Sequence, residues 1–66
     1  MSIAKVIEVM AEGDSLEAAI ESAVEGAAKT IKNIRSAYVN DIQAIVQDNL
    51  IVKYRVNVNI TFVVET

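Results

Sequence analysis

Between Lys53 and Val64 the chain alternates without a break. Tyr54, Val56, Val58, Ile60, Phe62 and Val64 fall on one face of an extended segment, and Arg55, Asn57, Asn59 and Thr61 fall on the other. Successive strand side chains point to opposite faces, so alternation of this length predicts a β-strand with one dry side. The dry side needs a partner layer. Leu16, Ala19, Ile20, Ala23, Val24, Ala27 and Ile31 recur at helical spacing and supply one, predicting a helix from Ser15 to about Lys32. Several of these are alanines, which let a helix approach a sheet closely. Asp14 is the expected N-cap, with Glu17 in the capping-box position, and Asn33 is suited to the left-handed conformation that ends a helix. Gly26 weakens a helix by about 1 kcal/mol relative to alanine; it is expected to mark close contact with another chain. Glu17, Glu21 and Glu25 precede Lys29 and Lys32, an order that complements the helix dipole. The acidic row reads as a solvated face, since one straight helix does not converge oxygens on a cation.

Ile3 to Met10 predicts a first strand. Ile3, Ile7 and Val9 share one face with Lys5, while Ala4, Val6 and Met10 share the other with Glu8. Both faces are largely apolar, where a strand with one wet side alternates cleanly. One face is therefore expected against the helix and the other against a neighbouring subunit. Ala11 to Asp14 breaks the strand. Arg35 to Val46 predicts a second strand, with Ser36, Tyr38, Asn40, Ile42, Ala44 and Val46 alternating with Ala37, Val39, Asp41, Gln43 and Ile45. Both sets are of mixed polarity, so its inward face stays open. Gln47-Asp48-Asn49 is a turn, and Leu50 to Val64 returns as the long strand. The order is β-α-β-β, an α+β fold: a three-stranded antiparallel sheet wrapped around one helix, in a single domain spanning residues 1–66.

Size turns this fold toward assembly. A chain of 66 residues buries only about 60% of its unfolded surface, against an ordering cost of roughly 100 kcal/mol. Cysteine and histidine are both absent, which excludes disulfides, thiolate or imidazole zinc sites and a histidine general base. Oligomerisation is the remaining source of burial, and the 53% apolar content agrees with it. A net charge of −3 argues against nucleic acid as a partner. No apolar run is long enough for a membrane span. No secretory signal is visible at the start, so a cytoplasmic location is expected.

The sequence shows no catalytic constellation, phosphate loop or nucleophile elbow, and an enzyme is not expected. Arg55, Asn57, Asn59 and Thr61 read either as a ligand-facing wall or wet lumen, or as an ordinary solvated sheet face; both remain open. Glu8 and Asp41 lie on strands, where a surface position is the simplest reading. If they face each other or a cavity, they become candidate ligands for a cation such as calcium.

The element order and length, with Lys5-Val6-Ile7-Glu8, Ser15-Leu16-Glu17-Ala18-Ala19-Ile20, Lys29-Thr30-Ile31-Lys32-Asn33-Ile34 and Tyr54-Arg55-Val56-Asn57-Val58, resemble the dodecins over nearly the whole chain. The resemblance implies a hollow homododecamer with the last strand central and the helix on the concave side. It also implies a non-enzymatic storage or buffering role, with flavin (FMN or riboflavin) stacked between aromatic side chains at inter-subunit sites. The stacking tryptophan of flavin-binding members corresponds to Ser36, and the glutamine that contacts the ring corresponds to Arg55. Tyr38 lies two residues along the same strand face. A hydroxymethyl group offers no aromatic face, so the resemblance carries the shell further than the flavin. Trp-lacking chains similar to dodecins have been described as calcium-binding, which keeps a cation-binding shell as the alternative. A structural or protein-interaction oligomer without a ligand is the third reading.

Overall fold

The computed structural model describes residues 2–65. Strand β1 (Ser2–Gly13), helix α1 (Leu16–Ala28), strand β2 (Ile34–Gln47) and strand β3 (Leu50–Glu65) follow in that order. The sheet is antiparallel with the order β1-β3-β2, so the long alternating strand is central. Its dry face is as the pattern predicts: Val56, Val58 and Ile60 are fully buried against Ala19, Ala23 and Ala27 of the helix. Ile7, Val9 and Ala11 of β1 and Ala37 and Val39 of β2 pack around this cluster.

The boundaries differ from expectation for local reasons. Ser15, not Asp14, is the N-cap; it is extended, and its Oγ accepts a hydrogen bond from the Ala18 amide at 3.0 Å. Glu17 then stands one position short of a capping box. The helix stops at Ala28 rather than near Lys32, and Lys29 and Lys32 lie beyond its last turn. The carbonyl of Ala27 accepts from both the Thr30 and Ile31 amides, and β-branched Thr30 and Ile31 do not prolong it. Ile31 still reaches the core from the connection that follows. Asn33 is left-handed (φ 63°) as expected, and its carbonyl accepts from the Val63 amide at 3.1 Å. Asp48 and Asn49 both have positive φ and close a two-residue hairpin between Gln47 and Leu50.

β1 continues past the expected break to Gly13, paired opposite Tyr54. A glycine is required there by space. A Cβ on Gly13 would stand 2.5 Å from the Ala19 backbone nitrogen and 2.8 Å from the Ala18 carbonyl carbon. The strand end and the helix start thus meet backbone to backbone. Gly26 behaves oppositely, because a Cβ there would meet nothing within 4 Å of this chain.

β2 departs furthest from simple alternation. Its pairing with β3 shifts register between Ile34 and Ser36, between Val39 and Asp41, and between Ile45 and Val46. Each extra residue moves the following side chains to the opposite face. The shift at Asn40 places Ser36, Tyr38, Asp41 and Gln43 together on the helix-free face, although strict alternation separates the first two from the last two. It also turns Ile42 to the helix side, opposite Val56.

The result is a thin, long protomer. Its extents are 52 × 19 × 13 Å and its radius of gyration is 13.7 Å, against about 11 Å for a compact chain of this length. Its accessible surface is 4808 Å², where a compact monomer of this mass exposes about 4,100 Å². Gly13→Ala is expected to cost about 1–3 kcal/mol through overpacking, read as a lower urea midpoint with unchanged slope. Gly26→Ala is expected to gain roughly 0.5–1 kcal/mol; a loss of native mass in that variant would instead put a second copy against this glycine.

Candidate functional site

One face of the sheet carries the helix, and the other carries the polar strip of β3. Cross-strand register sets the rows of this helix-free face: Val6–Thr61–Ser36, Glu8–Asn59–Tyr38, Met10–Asn57–Asp41 and Glu12–Arg55–Gln43. Polar groups occupy the middle of every row because β3 is central.

The last row is a charged strut. Glu12 accepts from Lys53 Nζ on Oε1 at 2.9 Å and from Arg55 Nη2 and Nε on Oε2 at 2.7 and 2.8 Å. Arg55 Nη1 donates to Gln43 Oε1 at 3.5 Å, so the guanidinium lies across the three strands. Hydrogen bonds from Lys53 and then Arg55 hold the Glu12 carboxyl below its usual value. Neither Glu12 nor Gln43 is singled out by the sequence, because Glu12 is expected in a break and Gln43 opposite Tyr38. The spacing of Glu8, Met10 and Glu12 is the signal that continues β1 through Glu12.

Beside the strut lies a depression of about 350 Å³, lined by Met10, Asp41, Ile42, Gln43, Arg55 and Asn57 among others. The Oδ1 atom of Asn57 is buried there and accepts no hydrogen bond from the described residues. Of the expected site residues, Asp41 and Arg55 line this depression. Tyr38 stands one row away and Ser36 two rows away. Glu8 is on β1 and Asp41 on β2, with β3 between them, so their strands are about 10 Å apart. Among the described residues no three Asp or Glu side chains gather where they would hold a metal ion.

A family model described as Dodecin matches residues 3–65. This chain belongs to the dodecin family. Among solved structures, a single-substitution variant of the Thermus thermophilus dodecin is 25% identical with a TM-score of 0.92, and the match covers all of both chains. The tt0972 protein from the same organism is also 25% identical at a TM-score of 0.92, over 100% of this chain and 98% of that one. The dodecin from Streptomyces davaonensis shares the fold at 17% identity, with a TM-score of 0.90 over 98% and 97% of the two chains. A search of curated proteins gives no match.

Flavin stacking, which the dodecin resemblance implies, meets a poor fit in these residues. Ser36 stands in a row with Thr61 and Val6, none of them aromatic. Tyr38 is 69% exposed and about 7 Å further along the strand. Arg55, which the resemblance puts at the ring-contacting position, is tied to Glu12.

The strut predicts a pH dependence. The folded Glu12 carboxyl titrates below 4.5 because of its two cations, so its contribution is present above that value and is lost as the pH falls through the lowered folded one. Glu12→Gln is expected to lower the melting midpoint at neutral pH and to converge with the native chain in acid. Parallel curves at every pH would contradict this.

Proposed function

We propose that this dodecin-family chain is a non-enzymatic protein that assembles into a hollow homododecamer and holds a small ligand where copies meet, on the face bearing Ser36, Tyr38 and Arg55. The apolar surface that the protomer leaves uncovered carries this reading. Val6 and Met10 on the helix-free face are 58% and 64% exposed, and Ile42, Val46, Leu50 and Ile51 toward the hairpin end are 57–69% exposed. Such a share of large apolar side chains is expected to be buried by association. The two-sided apolar pattern of β1 supports the same conclusion, with Ile7 and Val9 on the core and Val6 and Met10 left for a neighbour.

A stacked flavin is not the preferred ligand, given Ser36 and the engaged Arg55. A divalent cation is not preferred either, since Glu8 or Asp41 would need oxygens from a second copy to complete its shell. No helix among the described residues is long and apolar enough to cross a membrane.

Light scattering is expected to give a native mass near twelve times 7.2 kDa; a dilution-resistant monomer would overturn the proposal. Val6→Asp is expected to break the assembly, because burying an unpaired charge at a subunit contact costs several kcal/mol, roughly 3–5. FMN fluorescence is expected to show weak or no quenching, whereas submicromolar quenching would mean that the Ser36 row accepts a ring after all.

A further inference from the structure

The depression beside the strut has a lopsided chemistry. Its apolar wall on this face is Met10, since the Ile42 and Val56 side chains turn to the helix side, and its polar floor consists of Asn57, Asp41, Gln43 and Arg55. Arg55 is committed to Glu12 and Gln43. Among the described residues the buried Oδ1 of Asn57 has no donor, and the exposed carboxylate of Asp41, its cross-strand partner, stands beside it. An unpaired buried acceptor is costly, and a donor that reaches it recovers that cost. The neighbouring carboxylate makes a charged donor better than a neutral one. Arg55 does not repel such a ligand at full strength, because Glu12 lies against its guanidinium.

The geometry points to a site for a small organic cation with two or more N–H donors on an apolar body, an amidinium or primary ammonium. One N–H meets Asn57 Oδ1, a second meets the Asp41 carboxylate, and the apolar body lies against Met10. This deepens the proposed ligand-binding role and rests on it for the availability of the helix-free face. The site needs no aromatic stacking partner, which is the feature this chain lacks at Ser36. Its volume of about 350 Å³ suits a ligand of one ring or a short chain, at the small end of ligand pockets.

The test is calorimetric titration of the full chain with benzamidine, and with benzoate as its anionic counterpart of similar shape. Benzamidine is expected to bind at one per chain and benzoate not to bind. Asp41→Asn, at an exposed position, and Asn57→Ser are each expected to weaken benzamidine about tenfold or more, the loss of one charge-assisted hydrogen bond. Native mass is measured on the same samples. A dodecamer that ignores benzamidine overturns this site and leaves the shell standing; a monomer that binds it overturns the shell alone. Preferential binding of benzoate would make Arg55 the recognition group and sink the proposal. Full affinity in Asp41→Asn would do the same even if Asn57→Ser failed to fold.

Discussion

The helix is too short and too thin for the sheet it serves. Thirteen helical residues span about 20 Å, while the sixteen residues of β3 run about 50 Å. The buried helix positions are Ala19, Ala23 and Ala27. They bring the helix close to Val56, Val58 and Ile60 but add little volume to the core. The middle of the sheet is therefore well covered and its hairpin end is bare. Hydrophobic burial scales with area removed from water, and this protomer removes little. Ile42, on the helix side opposite Val56 yet 58% exposed, shows the mismatch in length.

Close approach at one end makes the arrangement workable. Gly13 lets the end of β1 touch the first turn of α1, and Ser15 caps that turn immediately afterwards. At the other end, Asn33 adopts a left-handed turn and bonds to Val63, which carries the chain from the helix back to the sheet. Both devices fix the helix over one half of the sheet and leave the hairpin half projecting. The charged strut crosses the sheet beside the junction of β1 and α1, because Glu12 precedes Gly13 and pairs with Arg55.

The helix-free face shows how a local irregularity can build a site. The extra residue at Asn40 moves Asp41 and Gln43 onto the same face as Tyr38. Without it, Gln43 would turn away from Arg55 and Asp41 would turn away from Asn57. Glu12 fixes the guanidinium across the strands, which separates a balanced ionic row from the acceptor-rich row beside it.

Much of this was legible in the amino-acid sequence. The alternation from Tyr54 to Val64 determined the central strand and its dry face, and the alanine-rich stripe determined the helix and its buried side, because each records a single element's periodicity against one partner layer. The short length, the lack of cysteine and histidine and the high apolar content pointed to assembly, and four short strings pointed to the family. The facing of β2 was not legible, since a bulge resets the two-residue period and leaves no composition signal at Asn40. The Glu12 strut and the orphaned acceptor of Asn57 were hidden for a related reason: each joins residues distant in the chain, and only strand register decides which of them stand side by side.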